Sequence, residues 1–311
     1  MQVFRTFEEL AAHSHKVCLA IGVFDGVHLG HQRVIGQARD DARSTGGTSV
    51  VLTFDPHPMR VLAPDKAPRL LTSTEHKLSL IERLEVDACL LLTFDKSFSL
   101  TPPERFIDTV ARQTNQLQEI CVGTRFRFGH DRAGDVRLME ALAPKYGFVA
   151  KEIKPVTLGK EMISSTAVRQ HVLNGRLERA AAMLGRPFSI LGTVEPGDHR
   201  GRELGFPTAN LNSHDEVLPP DGVYAVRVKI AAELLGGVVN IGMRPTFAGT
   251  EPRRVLEVHI LDFTRELYGQ NVEVLFLSRL RGEQKFASVE ALKMQIAADI
   301  HAARQILGRQ P

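Results

Sequence analysis

The chain has 311 residues, 43% hydrophobic and 24% charged, a length that suits two globular domains better than one. Its 39 basic and 36 acidic side chains leave a formal net charge of +3, too even for a protein that coats nucleic acid. No stretch approaches the roughly 20 apolar residues of a membrane helix, the opening MQVFRTFEELAAHSHK lacks a signal-peptide core, and the sparse cysteines Cys18, Cys89 and Cys121 lie inside apolar runs as small hydrophobes of a reducing compartment. These totals predict a cytoplasmic protein that uses neither nucleic acid nor membrane.

In chain order, VCLAIGVF, TSVVLTF, DACLLLTF and EICVG read as buried strands. Helical patterns separate them. TSTEHKLSLIERL opens with Thr72 three residues before Glu75, and TPPERFIDTVARQ repeats that capping-box spacing with Thr101 and Glu104, placing Pro102 at the first helical position. Alternating strand and helix predicts a Rossmann-like α/β domain whose parallel sheet is covered on both faces. ISSTAVRQHVLNG and RLERAAAMLG follow as two short helices, stopped at Gly175 and Gly185. After residue 186 the texture changes. FSILGTV, GVYAVRVKI, GGVVNIG, RVLEVHILDF and NVEVLFLSRL predict a small antiparallel β-barrel, and SVEALKMQIAADIHAARQIL an amphipathic helix packed on it. The expected division is 1–186 and 187–311.

The stretch IGVFDGVHLGHQ concentrates chemistry at the end of the first buried strand. Gly22, Gly26 and Gly30 permit tight turns and close approach of a ligand to the backbone. His28 and His31 are three apart, so both rings face the strand end if a helix starts near Gly30. With the helix N-terminus, two imidazoles suit the phosphates of a nucleotide. Two surface histidines, or half of a metal site, fit the same spacing. A second stretch, ISSTAVR, puts Ser164, Ser165 and Thr166 at a helix start with Arg169 one turn on, Ser165 and Arg169 sharing a face. A plain N-cap beside a solvated arginine is its simpler account. No Walker-type phosphate loop is present.

Taken together with these two stretches, the chain resembles the nucleotidyltransferases with an H-x-G-H signature, and more closely the prokaryotic bifunctional riboflavin kinase/FAD synthetase family. GVFDGVHLGHQ, FDPHP, RFRFG, ISSTAVR, GRELGFPTANL, GVYAV, NIGMRPTF and LEVHILDF look like that family's blocks, in order, from about residue 17 to the C-terminus. The resemblance implies an FMN adenylyltransferase domain over 1–186 and a riboflavin kinase domain over 187–311. Riboflavin, FMN and FAD would be substrates and products, ATP the co-substrate and Mg2+ the cofactor, in a monomer or weak homo-oligomer with small-molecule partners. It implies that Gly22, Phe24, Asp25, Gly26, His28, His31, Ser164, Ser165, Thr166 and Arg169 bind ATP, with His28 and His31 catalytic. It also implies a flavin site near Phe54, Arg125, Phe126 and Phe128, whose rings could stack on a flavin or simply be core. Family members usually carry Asp or Asn where this chain has Arg125, which places a cation there instead.

In the second half, Thr208 and Asn210 are two apart in GFPTANL and face the same side of an extended backbone. Their oxygens suit a magnesium ion and its phosphates, and a polar turn after Pro207 is the alternative. The resemblance assigns Gly201, Arg202, Gly205, Pro207, Thr208 and Asn210 to the kinase's ATP, and Thr208 and Asn210 to the metal. In RVLEVHIL, Leu256, Val258 and Ile260 form one face; Val255, Glu257 and His259 form the other. Alternation alone makes Glu257 a solvated carboxylate and His259 structural or solvent-facing. The family's proposed base falls on Glu257, where a carboxylate would accept the proton of an alcohol undergoing phosphorylation. Two rivals remain: a single nucleotidyltransferase with an accessory barrel, and a flavin-binding protein whose catalysis has lapsed.

Overall fold

The computed structural model describes residues 1–197, 201, 204–244 and 253–308. The chain divides into two compact units, Met1–Arg69 with Thr74–Ser165, and Leu70–Ser73 with Thr166–Pro311.

The first unit is built on six parallel strands: β1 (Gln2–Phe4), β2 (Cys18–Ile21), β3 (Ser49–Asp55), β4 (Ala88–Thr93), β5 (Glu119–Gly123) and β6 (Val149–Ile153), in the order β1-β4-β3-β2-β5-β6. The helices α1 (Phe7–His13), α2 (Leu29–Thr45), α3 (Pro58–Leu62), α4 (Thr74–Glu82), α5 (Lys96–Ser99), α6 (Pro103–Gln113) and α7 (Val136–Tyr146) lie between them. Period-two alternation splits the apolar strand residues between two cores. Leu19, Ile21, Val50 and Leu52 pack with Phe106 and Val110 of α6 and Met139 of α7. Ala20 and Val51 pack with Val34 and Ile35 of α2 and Leu80 and Ile81 of α4. Both faces are therefore covered, as the alternating pattern predicts. The edge strands β1 and β6 escape that pattern. One has three residues, and the other, VAKEI, has no fully buried residue and so no continuous apolar run. The chain winds outward from β2 through β3 to β4, then returns to β5 on the other side. The crevice at the carboxyl end of β2 is thus the topological switch point, where such sheets bind ligands.

Two helix starts differ from the capping boxes. Helix α4 begins at Thr74 rather than just after Thr72, and the Thr74 hydroxyl donates to Asp55 Oδ1 at 2.7 Å. Helix α6 begins at Pro103 with Pro102 as N-cap and no side-chain cap bond. The three cysteines are free and buried as expected, and burial pushes the thiols of Cys18 and Cys89 up to about 11 and about 12. A two-stranded hairpin, β7 (Thr157–Leu158) and β8 (Glu161–Met162), completes the unit.

The second unit opens with α8 (Ser165–Leu173) and α9 (Leu177–Leu184); Gly175 and Gly185, both left-handed at φ 70°, end them where the sequence places the stops. Strands β9 (Ser189–Glu195), β10 (Ala209–Asn212), β11 (Gly222–Ile230), β12 (Glu233–Arg244), β13 (Arg253–Ile260) and β14 (Asn271–Arg281) close an antiparallel barrel in the order β10-β13-β12-β11-β14-β9, with β9 paired back to β10. Helix α10 (Val289–Gly308) packs Ala303, Ile300 and Ile306 against Val223, Ala225 and Val238.

Leu70–Ser73 belongs to this unit through Glu216, which is fully buried and accepts from Ser73 N–H at 2.6 Å and from Leu191 N–H at 3.4 Å. A fragment of residues 166–311 lacks the Ser73 donor. Losing one donor to a buried polar group costs about 1–3 kcal/mol. The fragment is expected to unfold cooperatively in calorimetry, but at a lower temperature than the barrel transition of the whole chain. Equal midpoints would mean that the Ser73 bond adds nothing to the barrel.

Candidate active sites

In the first unit, β2 runs into a turn of left-handed residues: Phe24 at φ 55°, Gly26 at 81° and Val27 at 40°. A bulky and a β-branched residue in that region are strained, and such strain concentrates at functional loops. Gly22 is required for close packing, since a Cβ there would lie 2.8 Å from the Phe24 ring. Phe24 itself is buried and meets His31 edge-on at 5.3 Å. His28 is the N-cap of α2, its Nδ1 accepting the His31 N–H at 3.3 Å. An Nδ1 that accepts leaves the proton of a neutral ring on Nε2. The two imidazoles stack with centroids 3.6 Å apart and planes at 20°. Such face-to-face rings present parallel edges, which suit two phosphate oxygens better than lone pairs converging on one metal. Burial, with smaller contributions from His28 and Lys77, holds His31 well below the usual imidazole range, and its enclosed Nδ1 has no hydrogen-bond partner among the described residues. Asp25 is buried, and the Ser165 hydroxyl donates to its backbone oxygen at 2.9 Å. Ser165 is thereby tied to the turn within the first unit. Ser164 is half-buried beside it, while exposed Thr166 and half-buried Arg169 fall in the second unit.

The phenylalanines after β3 and β5 form one aromatic chain. Phe54 meets Phe98 at 5.7 Å, Phe98 meets Phe106 at 6.1 Å, Phe106 meets Phe128 at 5.7 Å, and Phe128 stacks on Phe126 at 5.5 Å. Phe54 and Phe128 are buried, Phe126 half-buried and Arg125 exposed. The chain therefore presents Phe126 and Arg125 outward at its end, while the inner rings are core. Phe98 and Phe106 carry no distinguishing signal in the sequence, because helical phenylalanines there read as packing.

Lys77 is the residue that sequence reasoning missed. It sits on the buried face of α4 with His76, Leu80 and Ile81, and its ammonium donates to the Phe54 backbone oxygen at 3.0 Å and to Thr53 Oγ1 at 3.2 Å. A lysine in a helical pattern signals solvent, so only its helical phase relative to Leu80 and Ile81 could have marked it. Among the described residues, the one cluster with three potential metal ligands is Asp41, Glu119 and Cys121. The Lys151 ammonium lies 2.9 Å from Asp41 and 2.8 Å from Glu119, which accounts for that charge.

In the barrel, Asn210 on β10, Glu257 on β13 and Asn240 on β12 stand directly opposite one another across three strands. They form one row on one face. Glu257 is half-buried, less exposed than a fully solvated carboxylate would be. Asn210 Oδ1 is enclosed and has no hydrogen-bond partner among the described residues. A Cβ on Gly201 would lie 2.9 Å from Thr208 Oγ1 and 2.5 Å from the Phe206 backbone oxygen, so only glycine lets the chain approach there. Gly205 is exposed with φ 89°, Thr208 is exposed, and Arg202 lies outside the described residues. His259 takes the structural role: its Nδ1–H donates to the Pro207 backbone oxygen at 2.8 Å, holding the segment that carries Thr208. A cavity of about 310 Å³ opens beside Pro207 and Thr208, lined also by Val194, Val258, Phe263 and Tyr268.

Magnesium takes hard oxygen ligands. An unsatisfied, enclosed Asn210 Oδ1 two residues from the Thr208 hydroxyl fits that donor chemistry.

Comparison with known proteins agrees with both halves. The FAD synthetase family matches residues 10–167, and the riboflavin kinase family matches residues 184–307. The bifunctional riboflavin kinase/FMN adenylyltransferase of Escherichia coli K12 is 39% identical over 310 residues, 99% of this chain and 98% of that protein. The protein of the same name from Bacillus subtilis is 39% identical over 288 residues, 91% of this chain and 90% of that one. A crystal structure from Streptococcus pneumoniae titled as a macrolide-efflux protein superposes with a TM-score of 0.82 at 31% identity, covering 97% of this chain and 98% of its own. Among the described residues, no helix is long and apolar enough to cross a membrane. A histidine-bearing turn at a sheet's switch point, a separate barrel with Glu257 between two asparagines, and full-length relatives named for both activities place this chain in the bifunctional riboflavin kinase/FMN adenylyltransferase family, which phosphorylates riboflavin to FMN and adenylylates FMN to FAD with ATP.

Proposed function

We propose that residues 1–186 carry the adenylyl transfer and residues 187–311 the kinase reaction, with the following division of labour. In the first, a phosphate oxygen of FMN attacks the α-phosphorus of ATP, and the bond to the β-phosphate bridge breaks to release pyrophosphate. His28 donates from Nε2 to the triphosphate, and neutral His31 beside it supplies a second ring edge. Gly22, Phe24, Asp25 and Gly26 shape the turn. Ser165 holds that turn through Asp25, and Ser164, Thr166 and Arg169 complete the set of phosphate ligands. Phe126 and Arg125 contact the flavin end, with Arg125 offering its guanidinium to a phosphate, while Phe54 and Phe128 support them from the core. No covalent enzyme intermediate is required, so positioning and preorganised charge supply the rate.

In the second reaction, the ribityl hydroxyl of riboflavin attacks the γ-phosphorus of ATP, ADP leaves, and Glu257 takes the hydroxyl proton. Thr208 and Asn210 hold Mg2+, which neutralises phosphate charge when bound. Gly201, Arg202, Gly205 and Pro207 bring the backbone against the nucleotide, whose apolar portion suits the cavity beside Pro207. The protein acts in the cytoplasm on small molecules alone, as a monomer or weak homo-oligomer.

The observation that carries the kinase assignment is the enclosed Oδ1 of Asn210, without a partner among the described residues, in the same row as Glu257. Its test is the magnesium dependence of flavin products separated by chromatography. Asn210→Ala is expected to raise the Mg2+ concentration needed for FMN formation by about tenfold or more, the scale of a perturbed metal site. FAD formation from supplied FMN stays at the parent level. An unchanged magnesium requirement for FMN formation returns Asn210 to a polar turn.

A further inference from the structure

Lys77 is only 6% exposed, yet all of its hydrogen-bond acceptors are neutral. Its ammonium donates to the Phe54 backbone oxygen at 3.0 Å and Thr53 Oγ1 at 3.2 Å, and reaches the Val23 backbone oxygen at 3.5 Å. The Thr53 hydroxyl donates to that same Val23 oxygen at 3.0 Å. Lysine and threonine together therefore pin the residue between Gly22 and Phe24, where the strained turn begins. Among the described residues no carboxylate forms an ion pair with Lys77. Asp25 and Asp55 act on it only at longer range, and Asp55 already accepts from Thr74. The other titratable groups facing it are the buried Cys89 thiol and His31.

Buried charges are ordinarily paired, because a buried charge without a contacting partner costs stability. A fold that keeps a buried cation with no contacting carboxylate behind an anion-binding turn gains nothing in stability from the charge itself. Its field, however, is little screened by salt and acts on whatever enters the turn. We propose that Lys77 is a positioning residue for adenylyl transfer: it fixes the Val23 carbonyl, and with it the turn bearing His28 and His31, and its charge, which touches no carboxylate among the described residues, acts on a polyphosphate that fills that turn. This rests on the assignment of the His28–His31 turn to the triphosphate. Burial pushes the ammonium below the ordinary lysine range, and an incoming polyanion opposes that shift.

Lys77→Met keeps the length of the apolar stem and removes the charge. The experiment measures steady-state FAD formation from FMN and ATP, riboflavin phosphorylation in the same preparation, and thermal unfolding with and without inorganic pyrophosphate. We expect kcat for FAD formation to fall by about 10², as for other preorganised groups. KM for ATP rises about tenfold and KM for FMN stays within about twofold, a split that follows from a charge serving the triphosphate. The unliganded unfolding midpoint falls somewhat, since the Phe54 and Thr53 oxygens lose a donor, and the upward shift produced by pyrophosphate in the parent is lost. A strut without electrostatic purpose also lowers the midpoint but moves both KM values together and keeps the pyrophosphate shift, and that result overturns the proposal. So does a kcat within about threefold of the parent with the pyrophosphate shift intact. If Lys77→Met does not fold, Lys77→Gln, which retains a donor but not the charge, carries the same expectations. His28→Ala separates the two ideas. If it also leaves FAD formation intact, the assignment of the turn has failed; if it abolishes FAD formation while Lys77→Met does not, only the role of Lys77 has.

Discussion

Replacing His28 by alanine is expected to lower FAD formation from FMN by about 10²–10³, the cost of deleting one preorganised donor to developing charge, while riboflavin phosphorylation continues at the parent rate. The geometry gives the loss two sources. The ring that offers Nε2–H disappears, and so does the Nδ1 that accepts the His31 N–H and caps α2. A lost N-cap costs about 1 kcal/mol of stability, so the alanine variant should also melt somewhat earlier. His28→Asn separates the two effects, because asparagine is a strong N-cap but carries no imidazole. Its melting temperature should recover towards the parent while FAD formation stays depressed. Recovery of activity along with stability would reduce His28 to a cap. The same site predicts a pH dependence of stability. His31 is held neutral in the fold, below the ordinary value of 6.5, so on acidification the unfolded chain takes up its proton first. That contribution is fully present above 6.5 and is lost as pH falls from there through the lowered folded value. His31→Gln should flatten that portion of the stability–pH curve.

Glu257→Gln is expected to drop riboflavin kinase turnover by at least about 10², the lower end of what positioned acid–base groups contribute. Glutamine preserves shape and removes the charge that would receive the hydroxyl proton. Glu257 is half-buried between Asn210 and Asn240, so its amide replacement retains cross-strand neighbours and the barrel should hold. FAD formation from supplied FMN in the same preparation controls for folding. The pH–rate profile gives a further check, since the acidic limb due to a carboxylate base should vanish in the variant. Kinase turnover within about threefold of the parent leaves the base unassigned, because an exposed or merely polar position changes little on such a substitution.

The elements that declared themselves in the sequence are those whose burial is complete. Strands β2, β3, β4 and β5 are apolar along nearly their whole length because both sheet faces are covered, and Gly175 and Gly185 stop α8 and α9 because the left-handed region favours glycine. Strand β6 stayed hidden because an edge strand of half-buried residues carries no continuous apolar signal. The histidine pair was legible because its spacing and its position after a buried strand are local facts. Side-chain fates that depend on distant chain were not legible. Nothing in ISSTAVR announces that the Ser165 hydroxyl is spent on the Asp25 carbonyl 140 residues away. Nothing in RVLEVHIL shows that His259 holds Pro207, or that Glu257 stands opposite Asn210. Lys77 is the sharpest case. Sequence alone assigns a lysine to solvent because hydration of the ammonium is so favourable, and only the packing of α4 over the ends of β2 and β3 replaces that water with the oxygens of Thr53, Phe54 and Val23. Periodicity and turn chemistry are properties of neighbouring residues and survive in one dimension; which polar group meets which depends on sheet order and register, and those exist only once the chain has folded.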